Sequence, residues 1–403
     1  MGLSLAKINK ATNYMYMFML LALSGNPFFS VSSQYEQYAF VLLVVGLIVK
    51  HHNFFNLKKA KSYFKYIAFF CVIFLSQYIV LGFVSIPGVL GFLLKITIGF
   101  IVIKRLNINF KNVYFNLIFF ISLISVFGYL YNITIGDIPA IYLRENTRLY
   151  SDNSLRSIIV FNQLADGLRN SGMFWEPGAF ACYINLAFLL YLGKLRTLLK
   201  QHKIKTIIIL IALITTFSTT GYFVLFFVCV ITVFTEFSSK YKVVTIPLAS
   251  LFIVLGFTLY QSLEFLNEKV NRQYETALTL DGDFSNTRFG ALVFDWHYIQ
   301  KRPLIGNGLH SSTRYADHPW LQNEEALGHG NGFSNFLASM GLLSLLYYAF
   351  LILKFNKNKS WIFLIAVFAL LQGEQLMNYP LFLSIPLIFV YEKLNRKSNY
   401  QNS

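Results

Sequence analysis

Long apolar runs recur along almost the whole chain, and polar connections of uneven length separate them. A helix needs about 20 mostly apolar residues to cross a bilayer. We therefore expect an all-α polytopic membrane protein in which residues 1–403 form a single integral membrane domain. The pattern predicts about twelve spanning helices, near residues 13–30, 35–49, 66–84, 86–103, 113–131, 177–193, 205–220, 221–237, 243–261, 331–353, 360–377 and 379–392.

Basic residues are concentrated in every second connection and at both ends of the chain, whereas the short connections in between carry none. Cytoplasmic loops of membrane proteins are enriched in Lys and Arg, so this alternation predicts that both termini are cytoplasmic. Two connections on the opposite, external side are much longer than the rest, 132–176 and 262–330. Long loops are usually functional, and we expect these two to form an external cap.

The composition supports a membrane protein and argues against several other classes of protein. The chain is 56% hydrophobic and 13% charged, whereas a soluble domain is about 25% charged. The net charge of +16 follows from lysine-rich loops and does not indicate nucleic-acid binding. Each cysteine lies within an apolar run, and no CxxC motif is present, so we expect neither a disulfide framework nor a metal cluster.

Arginine is distributed differently from lysine. The connections expected in the cytoplasm hold mostly lysine, whereas the two long loops hold only Lys269 and Lys301 beside eight arginines: Arg144, Arg148, Arg156, Arg169, Arg272, Arg288, Arg302 and Arg314. A guanidinium binds phosphate or carboxylate through two parallel hydrogen bonds. The arginines therefore indicate a site for an anion at the membrane surface, such as a lipid-linked diphosphate. The alternative is that they pair with loop carboxylates such as Glu145, Asp152 and Asp166.

The second loop contains SNTRFGALVFDWHYIQKRPLIGNGL, which predicts a helix capped by Asn286 or Thr287. An apolar stripe of Phe289, Leu292, Val293 and Trp296 favours a helix lying against the membrane surface. Arg288 is in the first turn, off this stripe. Pro303 ends the helix, and Gly306-Asn307-Gly308 forms a turn.

Three acid or base candidates lie at the borders of apolar runs. His329, followed by Asn331, precedes one run and is a candidate general base, proton shuttle or hydrogen-bonding anchor. Glu176 precedes Pro177, which suits the first turn of a helix. Glu176 could take a proton from a hydroxyl group or position an arginine, or it could simply be an acid favoured by the helix dipole. Glu374 is a candidate for lining a cavity.

These motifs together resemble the O-antigen polymerase and O-antigen ligase superfamily. The resemblance is carried by the arginine-led amphipathic helix, the PLIGNG turn, GHGNG before a run that contains GLL, the FWEPGAFA element and the FSTTGY turn. It implies a GT-C-like membrane glycosyltransferase of the bacterial inner membrane that needs no metal and no other cofactor. The family's essential arginines and histidine would correspond to Arg169 (or Arg156), Arg288 and His329.

The resemblance also implies a reaction and its participants. We expect a polysaccharide polymerase that transfers a glycan from undecaprenyl diphosphate to a hydroxyl of another lipid-linked repeat at the periplasmic face. The expected catalytic residues are His329, Arg288 and Glu176, and the expected substrate-binding residues are Arg169, Arg156, Arg314 and Asn331. Membrane lipid and a chain-length regulator protein are expected partners. The alternatives are an O-antigen ligase that acts on lipid A-core and a flippase for lipid-linked oligosaccharides.

Overall fold

The computed structural model describes residues 5–26, 57–135, 161–163, 169–236, 288–318, 330–356 and 360–401. The fold is mostly helical, and its helices and strands are α1 (Leu5–Leu23), α2 (Leu57–Leu81), α3 (Ile86–Leu106), α4 (Phe110–Thr134), β1 (Phe161–Gln163), β2 (Arg169–Gly172), α5 (Pro177–Leu189), α6 (Leu195–Gln201), α7 (Lys203–Ile214), α8 (Thr219–Glu236), α9 (Arg288–Lys301), α10 (Ser311–Arg314), α11 (Gly332–Phe355), α12 (Ser360–Leu371), α13 (Pro380–Leu383) and α14 (Ile385–Gln401).

Three stretches among the described residues are long and apolar enough to cross a membrane: Ala60–Leu81, Ile86–Thr134 and Gly332–Phe355. The second of these contains both α3 and α4, which a single 3-10 turn at Asn107–Asn109 separates. Large apolar side chains such as Val72, Ile79 and Phe127 are exposed on these stretches. Exposed apolar surface of this extent is suited to contact with lipid, and together these features are those of a membrane protein. The number of twelve spans and the GT-C-like arrangement stay predictions.

Helix α5 forms the centre of the bundle. All of its 13 residues are buried, as expected for a helix that is apolar on every side. It packs against α4, α7, α8 and α12 and against strand β2. The antiparallel strands β1 and β2 pair just before α5. Consequently the residues at the start of α5 lie at one end of the bundle with other elements on several sides.

Most predicted apolar runs correspond to helices, but several boundaries were wrong; the first run was expected at 13–30, whereas α1 is Leu5–Leu23. The turn between α7 and α8 was expected at residues 218–221, whereas α8 already begins at Thr219. The reason is that the Ser218 hydroxyl accepts a hydrogen bond from the Gly221 amide at 3.2 Å and caps the helix. Helix α12 ends at Leu371, and residues 372–379 continue as an irregular segment that carries Glu374. The predicted runs 35–49 and 243–261 lie outside the described residues.

Helix α9 confirms the helix that was expected in the second long loop. It begins at Arg288 and ends at Lys301, and Gly306 and Gly308 adopt φ angles of +77° and +84° in the turn that follows. Its packed face is Ala291, Asp295 and Tyr298, which contact α11, while Val293 and Trp296 are exposed on the opposite side. Arg288 thus lies on the packed face, away from the exposed apolar residues.

The turn after α9 is inserted into a break in α11. Gly341 has φ +76° and ψ 171°, which interrupts the helix. The freed groups of α11 pair with the turn: Asn307 and Gly308 donate to the carbonyls of Ala338 and Ser339 at 2.9 and 3.0 Å, and Leu342 and Leu343 donate to Pro303 and Leu304 at 2.8 and 3.1 Å. Buried Gln77 donates to the carbonyls of Ile305 (2.7 Å) and Ser339 (2.8 Å). The buried backbone groups named here, which lie outside regular helix, therefore have hydrogen-bond partners.

Candidate functional site

Four helix N-termini meet at one point of the bundle. Glu176 and Asn331 are the N-cap residues of α5 and α11, and Thr219 and Arg288 are the first residues of α8 and α9. The C-terminal end of α12 reaches the same point through the segment 372–375. Each helix N-terminus carries a partial positive charge and unpaired amide groups. The convergence therefore favours negative charge at this location.

The guanidinium of Arg288 occupies the point of convergence. Its Nε donates to the Gly373 carbonyl at 3.2 Å. Its Nη1 donates to the hydroxyls of Thr220 at 3.1 Å and Thr219 at 3.4 Å. Its Nη2 lies 3.5 Å from Oε1 of Glu374. The side chain of Arg288 is 24% exposed and that of Glu374 is 6% exposed, so the arginine is the more accessible member of this ion pair.

The carboxylates of Glu176 and Glu374 approach each other at Gly178, in the first turn of α5. A Cβ atom placed on Gly178 would collide with Oε1 of Glu374 and would lie 3.5 Å from Oε1 of Glu176. Only glycine leaves enough space for both acids at this position. The site therefore combines one guanidinium with two carboxylates from different segments of the chain.

Asn331 joins this centre to α11. Its Oδ1 accepts a hydrogen bond from the Ser334 amide at 3.1 Å, which caps the helix. Its Nδ2 donates to Oε1 of Gln372 at 2.6 Å and to the carbonyl of Arg288 at 3.5 Å. A Cβ on Gly332 would lie 2.7 Å from Cα of Gln375, so α11 starts directly against the segment that carries Glu374. The amide of Asn331 is thus engaged in holding α9, α11 and residues 372–375 together.

A second ion pair lies two turns further along α9. Asp295 is fully buried, and its Oδ1 is paired with Nη2 of Arg314, which is 3% exposed. The other carboxylate oxygen accepts a hydrogen bond from the Ser334 hydroxyl at 2.5 Å. The Arg314 guanidinium also lies 5.0 Å from the ring centres of Tyr298 and Tyr315. A buried ion pair needs such additional partners to offset the cost of desolvation, and this one fixes α9 and α10 to α11.

Tyr298 and His318 form the outer edge of this second cluster. The Tyr298 hydroxyl lies 2.6 Å from Nδ1 of His318. Burial raises the pKa of Tyr298 to about 12, so its hydroxyl stays protonated, and the direction of the hydrogen bond depends on the tautomer of His318. Burial, and after it the electrostatic effect of His297, Lys301 and Arg314, lowers the pKa of His318. These surroundings therefore favour the neutral form of His318.

Arg169 holds a turn next to the site. Its Nε and Nη2 donate to the carbonyls of Thr216 and Phe217, both at 3.1 Å. These carbonyls belong to the turn between α7 and α8, directly before the threonines that contact Arg288. Arg169 thus holds the turn that precedes Thr219 and Thr220, and with it the start of α8.

The structure brings together some of the predicted site residues. Arg288, Glu176 and Asn331 lie in one cluster, and their roles stay predictions. Arg314 and Arg169 have partners within the protein and lie in neighbouring clusters; for Arg314 the partner is a buried carboxylate, as the alternative for these arginines proposed. His329 and Arg156 lie outside the described residues.

Two residues that matter for the geometry were given little weight by sequence reasoning. Glu374 was expected only to line a cavity, although it is the carboxylate that pairs with Arg288. Asp295 was overlooked, although it follows Arg288 by seven residues and therefore shares its helix face. An acid spaced by two turns from a candidate arginine was the signal that could have identified it.

The cluster joins one guanidinium and two carboxylates where four helix N-termini meet. Arg288 offers a charged donor group, four helix N-termini add positive potential, and Glu176 lies where it can accept a proton or a hydrogen bond. No group of three or more His, Cys, Asp or Glu side chains within the described ranges is arranged to hold a metal ion. Comparison with known proteins gives no family model that matches the chain and no curated protein that matches it.

Proposed function

We propose that this protein is a membrane glycosyltransferase that polymerises the repeat units of a bacterial surface polysaccharide, an O-antigen or a capsule. The donor is a glycan on undecaprenyl diphosphate, and the acceptor is a sugar hydroxyl of another lipid-linked repeat. The observation that carries the proposal is the position of Arg288 where four helix N-termini converge, paired with Glu374, which in turn approaches Glu176 at Gly178. A membrane-surface site with this charge distribution suits a diphosphate that is attached to a lipid.

In the proposed reaction, the bond between the anomeric carbon of the donor sugar and the diphosphate oxygen breaks, and the acceptor oxygen forms a new bond to that carbon. The electrons of the broken bond leave with undecaprenyl diphosphate, whose growing negative charge Arg288 stabilises. The acceptor proton passes to a general base, for which His329 and Glu176 are the two candidates. A guanidinium supplies the positive charge that a divalent cation supplies in soluble glycosyltransferases, so the proposed reaction needs no metal.

The proposal places the protein in the inner membrane with about twelve spans in a GT-C-like arrangement, both termini in the cytoplasm, and the loops 132–176 and 262–330 in the periplasm. A chain-length regulator protein is a proposed partner. The lysine-rich connections between the other spans support this orientation. A lipid diphosphate donor also fits this compartment, because it carries its own leaving group and requires no ATP.

The direct test is elongation by the purified full-length protein in liposomes that contain an undecaprenyl-diphosphate-linked repeat unit. We expect longer lipid-linked glycans without ATP, without an ion gradient and in the presence of EDTA. Movement of unchanged oligosaccharide across the bilayer without elongation would instead identify a flippase. Loss of elongation in EDTA and its recovery with Mg²⁺ would contradict the metal-independent mechanism.

A genetic test separates the polymerase from the ligase. In cells that make an O-antigen, deletion of a polymerase leaves lipid A-core with a single repeat, whereas deletion of a ligase leaves a core without any repeat. We expect the single-repeat pattern on gel electrophoresis of the lipopolysaccharide. A core without repeats would assign the chain to the ligase reaction.

A further inference from the structure

The ion pair of Arg288 and Glu374 bears on how the site recognises one anion among many. A guanidinium at a bilayer surface is surrounded by phospholipid headgroups, each of which offers a phosphodiester. We propose that Glu374 is the resting counter-ion of Arg288 and makes the site selective for diphosphates over these phosphodiesters. This inference rests on the proposed function and concerns the specificity of the same site.

The geometry divides the contacts of Arg288 into fixed and exchangeable ones. Neutral acceptors bind Nε and Nη1, namely the Gly373 carbonyl and the hydroxyls of Thr219 and Thr220. These contacts hold the guanidinium plane in place without cancelling its charge. The 3.5 Å distance from Nη2 to Glu374 is longer than a charge-assisted hydrogen bond of about 2.7–2.9 Å. The carboxylate therefore balances the charge of Arg288 without being tightly bonded to Nη2.

The charge balance then decides which ligand can replace the carboxylate. A phosphodiester carries one negative charge, the same as Glu374, so its exchange for the carboxylate gains little electrostatic energy and separates Glu374 from its cation. A diphosphate diester carries two charges and more acceptor oxygens, which interact with Arg288 and with the helix N-termini together. The built-in carboxylate thus imposes a cost that only the more highly charged ligand overcomes. Selectivity of this kind rests on disfavouring the competitor.

The space around Glu374 is consistent with this exchange. Its Oε1 occupies the position that a side chain at residue 178 would fill, and Oε1 of Glu176 lies 3.5 Å from that same position. The neighbouring Asn331 Nδ2 donates a hydrogen bond to Gln372 Oε1 at 2.6 Å, and this contact does not involve the Glu374 carboxylate. An amide of the same shape in place of the carboxylate removes the charge with the smallest change in volume.

The test measures binding of undecaprenyl diphosphate to the full-length protein in phosphatidylcholine nanodiscs, with and without added phosphatidylglycerol. We expect phosphatidylglycerol to compete weakly with the wild type. In Glu374→Gln, we expect undecaprenyl diphosphate to bind about tenfold more tightly, a change of about 1.4 kcal/mol, and phosphatidylglycerol to become an effective competitor. Glu374→Asp keeps the charge and should retain the discrimination.

Glu392→Gln is the matched control, because Glu392 is also paired with a cation, Lys111, at 2.8 Å, in a different ion pair. We expect wild-type binding from this variant. Unchanged or weaker diphosphate binding by a folded Glu374→Gln protein, with no gain in competition by phosphatidylglycerol, would overturn the inference while leaving the proposed function standing. Absence of Arg288-dependent diphosphate binding in the wild type would overturn both.

Discussion

Arg288 and Asp295 lie two turns apart on the same face of α9, and each forms an ion pair with a residue from another segment. The partner of Arg288 is Glu374 at 3.5 Å, and the partner of Asp295 is the buried Arg314. Between them, Ser334 and Asn331 of α11 contact one member of each pair. The position of the accessible arginine is thus tied to the buried pair through the backbone of a single helix.

Arg288→Lys should abolish most of the activity while the protein still inserts and folds. The lysine restores the charge but not the planar group that contacts Gly373, Thr219 and Thr220 at once. Loss of one such stabilising group typically lowers turnover by about 100-fold or more. The measurement is chain length in the liposome elongation assay at matched protein levels.

Arg302→Lys serves as the comparison for that variant. Arg302 is in the same loop, and its Nη1 donates to Oδ1 of Asn307 at 2.9 Å, away from the cluster around Arg288. We expect nearly normal elongation from it. Polymer of normal length from Arg288→Lys would mean that a point charge suffices and that the guanidinium does not clamp the diphosphate.

Removal of one partner of the buried pair should destabilise the protein strongly. In Asp295→Asn, Arg314 keeps a buried charge without its counter-ion, which typically costs about 3–5 kcal/mol. The double variant Asp295→Leu with Arg314→Met removes both charges and should recover much of this loss. Thermal unfolding in detergent measures the stability of the single and of the double variant. If the unfolding temperature of the double variant is no higher than that of Asp295→Asn, the loss of stability arises from packing rather than from the unpaired charge.

Gly341→Ala should also be destabilising, because the break in α11 has no space for a side chain. A Cβ on Gly341 would collide with the Leu304 carbonyl, and φ is +76° at this position. A non-glycine residue in a sparsely populated conformation costs about 1–3 kcal/mol before any collision is counted. A Cβ on Gly91, inside α3, would meet no atom within 4 Å, and Gly91→Ala should be neutral or stabilising by about 0.5–1 kcal/mol. Thermal unfolding of the two variants in detergent gives the comparison, and equal midpoints would contradict it.

His318 predicts a pH dependence of stability. Its pKa is lowered in the folded protein by burial and by neighbouring cations, so the unfolded chain binds the proton more readily. The contribution of His318 to the free energy of unfolding is fully present above the unfolded pKa of about 6.5, and it decreases as the pH falls from there towards the pKa of the folded protein. Unfolding midpoints between about pH 8 and pH 5 test this. His318→Gln should flatten that part of the curve, and an equally steep fall in the variant would assign the effect to another group.

The sequence predicted most of these helices because the apolar pattern that marks a helix lies within the helix itself. Apolar runs of sufficient length gave α2, α3, α4 and α11, and Arg288 with its apolar stripe gave the start of α9. The side of α9 that packs was not predictable from hydrophobicity, because the packed face contains Asp295 and the exposed face contains Trp296. A buried ion pair reverses the usual relation between polarity and exposure.

The ends of helices and the contacts of the site depended on distant partners. The predicted run continued to residue 377, yet the chain leaves α12 after Leu371. Gly373 and Glu374 instead contact Arg288, which lies 85 positions before Gly373 in the chain. No pattern of neighbouring residues predicts such a contact. Glu374 could therefore be recognised in the sequence as a candidate, whereas its partner Arg288 could not be identified.

The break in α11 has a consequence for biosynthesis. The two halves of this helix, on either side of Gly341, present backbone amides and carbonyls that the preceding turn at residues 303–308 satisfies. In hydrocarbon each such group costs several kcal/mol when unpaired. The turn is synthesised before the helix, so its backbone is already present when the ribosome delivers α11 to the insertion machinery. If α11 crosses the bilayer, as its length and composition allow, we expect the turn at residues 303–308 to pair with the break before or during insertion, so that these backbone groups do not meet hydrocarbon unpaired.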